Sequence, residues 1–337
     1  MALGFAGGIL HILNHALFKC LLFYAAGSVY HSTHTVDLER LGGLARRLPW
    51  TTSFFLLGGL AISALPPFNG FVSEFLIYSG LFSHSAPPGA GQLILLGVAA
   101  LLAFVGGVSA LAVTRSFGLG FLGQPRDPSV HIRGEAPASM QVAMGAHALG
   151  VLALGLVPTL GLRIVSQPTF QFLGLIGASA PDLGVASRVL GPLGWLAAVL
   201  LGLLGLLLAI RLWLARRRDP APAGVTWACG YAGVSARMQY TGSSFAQPFG
   251  AIFHAFLPQL RRERLPEGPF PEKAGQLNTH SVDAVERRLF TVLGNGERLA
   301  IRLVARLSEQ PRFAFGLGLI VLVALVGFAT ASPRAWP

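Results

Sequence analysis

The sequence predicts an all-α integral membrane protein of about six transmembrane helices, one of them broken, followed by a long amphipathic lateral helix. Three observations predict it. Of the 337 residues 53% are hydrophobic and only 12% charged, about half the charge of an ordinary soluble domain. The apolar residues gather into runs of the roughly 20 residues that a membrane-crossing helix needs. The arginines collect in the connections between those runs, the pattern that the positive-inside rule produces.

Six segments qualify as spans: residues 2–30, 51–82, 92–113, 139–162, 189–210 and 313–330. The first connection carries Arg40, Arg46 and Arg47, and the second carries no Lys, Arg, Asp or Glu at all. Arg115, Arg126 and Arg133 mark the third, Arg163 and Arg188 the fourth, and the fifth span exits into Arg211, Arg216, Arg217 and Arg218. Counting basic residues places the first and third connections and the segment after the fifth span in the cytoplasm. Both termini are then expected outside a multi-pass protein of the cell's inner (plasma) membrane. The net charge of +11 belongs to these flanks, which meet anionic headgroups of the lipid bilayer. It argues against nucleic acid as a partner.

Two cysteines, Cys20 and Cys229, give neither a disulfide framework nor a metal-ligand spacing. No cofactor is expected, no metal site, and no redox centre in this chain. The apolar N-terminus holds His11, His15 and Lys19 and runs on too long for a cleavable signal peptide.

Between Arg218 and Pro311 the chain turns polar and irregular, and residues 281–309 form neither a span nor a loop. Val282, Val285, Leu289, Val292, Leu299, Leu303 and Leu307 recur at helical steps. Arg287, Arg288, Glu297, Arg298, Arg302 and Arg306 fill the rest of the circumference. Such a helix lies along a membrane surface or across neighbouring helices, here on the cytoplasmic side, with Gly294-Asn295-Gly296 expected to break or kink it midway.

Ionisable groups inside apolar spans are costly and mark ion or proton pathways by default. His11, His15 and Lys19 stand at i, i+4 and i+8, on one helical face and about 6 Å apart along the axis. Histidine titrates near neutral pH, and burial disfavours a charged ammonium. The second span carries Pro66 and Pro67, which remove two backbone donors and break the helix near its middle. Asn69 and Gly70 suit the restart, with Asn69 as its expected N-cap. Broken helices at membrane depth face protein or a wet cavity, and transporters hold ions at their half-helix ends. Glu74 follows the restart and is the only charged residue of this span. The half-helix N-terminus favours its carboxylate, while burial favours the neutral acid. His147 in the fourth span is an additional candidate, either a packed histidine or a relay member, and Pro158 is expected to kink that span.

HILNHALFKCLLFYAAGSVYH, DLERLGGLARRLP and LAISALPPFNGFVSEFLIY together resemble the proton-conducting, antiporter-like membrane subunits. That family is shared by complex I, membrane-bound hydrogenases and multisubunit cation/proton antiporters. TWACGYAGVSARMQYTGSSFAQPF, residues 226–249, resembles its hydrogenase-4 component B and formate hydrogenlyase subunit 3 branch. The resemblance implies that His11, His15 and Lys19 fall on the family's central hydrophilic axis and Glu74 on its broken-helix acid-or-lysine position. It implies residues 1–165 as the C-terminal part of the conducting domain. Residues 166–337 become an extension holding the span 189–210, the lateral helix 281–309 and the anchor helix 313–330. The expected function is a non-redox, proton-translocating subunit of a hydrogenase-4, formate hydrogenlyase or complex I-like assembly. A cation/proton antiporter subunit and a non-conducting scaffold are the alternatives. Expected partners are other membrane subunits, a peripheral redox arm and an N-terminal half, because the chain opens in what resembles a late helix of the family's second repeat.

Overall fold

A stretch of 32 residues without proline forms α1 (Ala2–Thr33), the helix around which the others gather. The computed structural model describes residues 2–83, 89–175, 183–216, 235–253, 259–265, 268, 275–281 and 284–308. Cys229 and the expected span 313–330 lie outside the described residues. Contacts divide the chain into two units, Met1–Phe245 and Ala246–Pro337.

In the first unit the second span is broken as expected. Pro49 opens α2 (Pro49–Ile62) at N1, where its missing N–H is no loss. The helix stops at Ser63, Ala64 turns left-handed at φ 51°, and Phe68 is extended. The chain restarts as α3 (Asn69–Phe82). Gly70 makes the restart fit, because a Cβ there would collide with the Ala61 carbonyl oxygen. The expected N-cap role of Asn69 is corrected: Phe68 occupies that position without a side-chain cap. The Asn69 amide instead turns across to α1, where its Nδ2 donates to the Asn14 amide oxygen.

The third span is α4 (Ala90–Gly120), longer than its apolar run. The fourth is corrected, since Pro158 does more than kink it. The segment divides at Val157 into α5 (Ala138–Leu156) and α6 (Pro158–Leu175). Residues 163–175, expected in a connection, are helical because Leu162, Val165, Thr169 and Leu173 are buried at steps of three and four. Leu162 and Val165 join Ala6, Leu10, Val72 and Leu76 in one core cluster with Ala186 and Leu190 of α7 (Leu183–Arg216). Phe18, Ala61, Phe68 and Val151 form a second cluster beside the break. Among the described residues four helices are long and apolar enough to cross a membrane: α1, α4, α5 and α7. The halves of the broken span have 14 residues each, too short to cross singly.

In the second unit β1 (Gln259–Arg264) pairs antiparallel with β2 (Gln276–Ser281), Gln259 opposite Ser281. This small sheet amends the all-α expectation. The unit boundary falls within α8 (Gly242–Ile252). The amphipathic helix is α9 (Ala284–Ser308), and it is continuous. The expected break at Gly294-Asn295-Gly296 does not occur: Arg298 Nε donates to the Gly294 carbonyl at 3.2 Å and Arg302 Nε to that of Arg298 at 3.2 Å.

Candidate functional site

The site forms where α1 crosses the restart of α3. Gly7 lets the helices close, since a Cβ on it would sit 2.8 Å from the Ile77 backbone nitrogen. Gly80 does the same farther along, where a Cβ would meet the backbone of Gly4. At the crossing Asn14 is fully buried, and its Nδ2 donates to the Asn69 carbonyl at 2.8 Å and to Ser73 Oγ at 3.1 Å. Asn69 Nδ2 donates back to Asn14 Oδ1 at 3.1 Å. Ser73 Oγ donates to the Gly70 carbonyl at 3.0 Å and shares a hydrogen bond with His11 Nδ1 at 3.0 Å. Four side chains from two helices thus form one hydrogen-bonded network at the restart of α3. Asn69 Oδ1 is buried with no donor among the described residues.

His11 leads outward from this network. Its ring centroid is 6.1 Å from that of His15, and both rings meet Phe18 edge-on at 6.2 and 5.3 Å. His15 is exposed, and Lys19 Nζ stands 5.9 Å from the centroid of the Phe23 ring, within cation–π range. Glu74 follows Ser73 on α3 and is half-buried. It makes no hydrogen bond or ion pair with a described residue. The structure therefore brings His11 onto the broken span and keeps His15 and Lys19 in line with it. It does not put Glu74 in bonding contact with any of the three. His147 lies apart, its Nδ1 2.9 Å from the Ala143 carbonyl and its ring 5.2 Å from Tyr24. Of the hinge residues, Pro67, Asn69 and Gly70 are buried and Pro66 is exposed.

Two carboxylates that the sequence reading passed over hold the surrounding frame. Glu135 accepts from the N–H groups of Trp50 and Thr51 at 2.6 and 3.3 Å and from Thr51 Oγ1 at 2.7 Å. It supplies the cap that Leu48 cannot give α2, and Thr51 passes the tie to Ser28 of α1 at 2.7 Å. Glu39 accepts the Gly242 N–H at 2.5 Å. Beside it the Gln239 amide copies a backbone pairing, accepting from the Gln124 N–H at 2.9 Å and donating to its carbonyl at 3.1 Å. The described part of the 226–249 motif is thus a strap across the loops that follow α1 and α4. Its signal in the sequence was a motif match, which says nothing of what it touches. In the α4–α5 loop, Ser129 and Arg40 hydrogen-bond Asp127 and hold its carboxyl at about 2. Among the described residues no three His, Cys, Asp or Glu side chains converge as metal ligands.

This geometry, a histidine–lysine face against a polar broken helix, is that of an antiporter-like membrane protein, and the comparisons agree. Residues 1–103 match the family model described as NADH:quinone oxidoreductase/Mrp antiporter, TM. The chain is 37% identical over 272 residues to hydrogenase-4 component B of Escherichia coli strain K12, covering 77% of this chain and 39% of that protein. It is 36% identical over 337 residues to an uncharacterised protein of Mycobacterium tuberculosis, covering 95% of this chain and 52% of the relative. In fold it is similar to a chain of the membrane-bound sulfane sulfur reductase, an archaeal respiratory membrane complex. The TM-score is 0.61 with 22% identity, over 96% of this chain and 48% of the other. The chain spans about half the length, or less, of the curated relatives it matches. The resemblance read from HILNHALFK and LPPFNGFVSEF holds, and the protein is an integral membrane protein related to hydrogenase-4 and NADH dehydrogenase subunits.

Proposed function

We propose that this chain is the C-terminal half of a proton-translocating membrane subunit, working in a hydrogenase-4, formate hydrogenlyase or complex I-like assembly. The observation that carries the reading is the His11–Ser73–Asn14–Asn69 network. It joins a face of titratable groups to the α2–α3 break, which is lined with polar side chains. Protons move along His11, His15 and Lys19 and are handed to Glu74, whose carboxyl has no fixed partner among the described residues. Redox energy arrives from a peripheral arm, and this chain carries no electrons.

The finer architecture belongs to the same reading. Residues 1–165 are the conducting part and residues 166–337 the extension, with about six spans in all and both termini outside. α9 is the lateral helix on the cytoplasmic face, and 313–330 its anchor. The part that the curated relatives carry beyond the match supplies the N-terminal half, in the same chain or as a separate subunit. The description of the matched family also names antiporters, so a cation/proton antiporter subunit is the second reading.

Proton uptake by sealed vesicles holding the assembled complex tests the role of Glu74. Glu74→Gln keeps the side chain's shape and is expected to lower uptake at least tenfold, while Glu74→Asp retains part of it. Full uptake by an assembled Gln variant removes Glu74 from the mechanism. Uptake that needs no redox substrate and follows a sodium gradient favours the antiporter.

A further inference from the structure

The hydrogens around the α3 restart are fixed by the atoms that have none to give. The Asn69 carbonyl oxygen only accepts, so the Asn14 atom 2.8 Å from it is the amide nitrogen. Both hydrogens of that nitrogen are then committed, one to this carbonyl and one to Ser73 Oγ at 3.1 Å. A serine hydroxyl has one hydrogen and two lone pairs, and Asn14 takes the first lone pair of Ser73. One hydrogen and one lone pair remain for the Gly70 carbonyl and His11 Nδ1, each at 3.0 Å. The carbonyl can only accept, so the hydroxyl hydrogen goes to it, with the Asn69 carbonyl a second acceptor at 3.4 Å. His11 Nδ1 then supplies the hydrogen of its own contact. The reverse assignment would set a bare lone pair of Ser73 against two carbonyl oxygens. Asn14, Asn69 and Ser73 are all fully buried, where such a mismatch is costly.

We infer that Ser73, oriented by Asn14, is a positioning residue that holds His11 as its Nδ1–H tautomer and leaves Nε2 to take up and release the proton. The bond made by one ring nitrogen of a histidine decides which nitrogen carries hydrogen, and here Ser73 makes that bond. No described residue hydrogen-bonds Nε2. The neutral tautomer and the charged ring both carry a hydrogen on Nδ1, so the bond to Ser73 is the same in either state. A proton therefore binds and leaves at Nε2 with no rearrangement of the network behind it. Ser73 does not pass the proton on, because its one hydrogen is held by backbone and both its lone pairs are filled. The role in proton transfer rests on the reading of His11 as a relay member, whereas the tautomer stands on the hydrogen bonds alone.

The test is nitrogen-15 NMR of the histidine-labelled complete complex in membranes at alkaline pH, where imidazole is neutral. The His11 signals are identified by their loss in His11→Gln. The expected parent spectrum has a protonated Nδ1 and a bare Nε2, and a ring protonated at Nε2 overturns the inference whether or not any Ser73 variant assembles. Ser73→Ala removes the acceptor and is expected to shift His11 to the Nε2–H form or to a mixture, while Ser73→Thr keeps the hydroxyl and restores the parent spectrum. A serine that is only structural leaves the tautomer unchanged in an assembled Ser73→Ala complex, and that result also overturns the inference. Proton uptake by sealed vesicles is expected to fall on the order of tenfold in Ser73→Ala and to be retained in Ser73→Thr. Full uptake by Ser73→Ala with a shifted tautomer overturns the positioning role. Full uptake by His11→Gln beside an Nδ1–H parent ring removes His11 from the relay and leaves the tautomer standing.

Discussion

Among its described residues the first unit contains two proline breaks built on the same plan, and polar side chains of another helix gather at only one of them. At the α2–α3 break Gly155 of α5 lies over the irregular chain, where a Cβ would stand 2.4 Å from the Pro67 carbonyl oxygen. At the α5–α6 break Gly194 of α7 does the same, 2.7 Å from the Leu156 carbonyl oxygen. Both breaks thus interrupt a helix with proline and meet a glycine that lets the next helix close in. What differs is the other neighbour. Asn14, His11 and Ser73 converge on the first break. The second is flanked by Leu190, Gly191, Trp195 and Ala198 along an apolar cleft. A proline break at membrane depth is therefore not in itself a site. What distinguishes the first break is the polar side chains that α1 brings to the restart of α3.

The comparison breaks most completely if its shared element is not needed. Gly155→Val forces a branched side chain onto the Pro67 carbonyl and the Asn69 nitrogen, 3.2 Å from the same Cβ. Backbone on that side cannot swing away as a side-chain tip could. We expect no protease-resistant protein from this variant. Gly155→Val purifying with wild-type melting behaviour would show that α5 does not lean on the break.

Next in size is the difference itself. Asn14→Leu is close in volume but leaves the Asn69 amide and the Ser73 hydroxyl short of buried partners, a loss of about 1–3 kcal/mol. At the second break Thr159 makes no such cross-helix bond, and Thr159→Val should stay within about 0.5 kcal/mol of the parent. Thermal unfolding in detergent compares the two directly. Equal shifts would sink the claim that polar partners set the breaks apart.

The sequence made the first break legible because Pro66, Pro67, Asn69 and Gly70 are contiguous, and local residues alone dictate where that helix stops. The stripe of His11, His15 and Lys19 was legible for the same reason, being a period on one helix. The buried pairing of Asn14 with Asn69 was not, since it joins residues 55 apart through a crossing angle that no local pattern carries. Asn14 could be seen beside the stripe, and only the fold shows it turned inward. The helix α6 was hidden by Arg163, Gln167 and Pro168, which dilute its hydropathy although Leu162, Val165, Thr169 and Leu173 keep a buried face. Glu135 and Glu39 were missed because each caps or ties backbone far away in the chain. The reverse error at Gly294-Asn295-Gly296 came from weighing local propensity alone, a weak prior that a continuous amphipathic face overrides.

The smallest expected effect uses a tie that lies away from both breaks and is governed by protonation. Asp127 Oδ2 accepts from Arg40 Nε at 2.8 Å, and its Oδ1 accepts from the backbone and hydroxyl of Ser129 at 2.8 and 2.6 Å. The Ser129 and Arg40 bonds hold the carboxyl at about 2, below its ordinary 3.8. A carboxyl whose folded value is depressed stabilises the folded loop fully above the unfolded value. That contribution is lost as pH falls from about 3.8 through about 2. The pair is solvent-exposed and screened by salt, so the contribution is small. The hydrogen-exchange protection of the α4–α5 loop, measured against intrinsic rates at each pH, should therefore fall as pH drops between these values in the parent protein. Asp127→Asn should exchange faster at neutral pH and lose that pH step. The Asn14–Asn69 pair contains no titratable group, so the amides of the α3 restart are expected to show no step at this position. If both regions loosen together, or if Asp127→Asn keeps the step, the loop tie is not what acid releases.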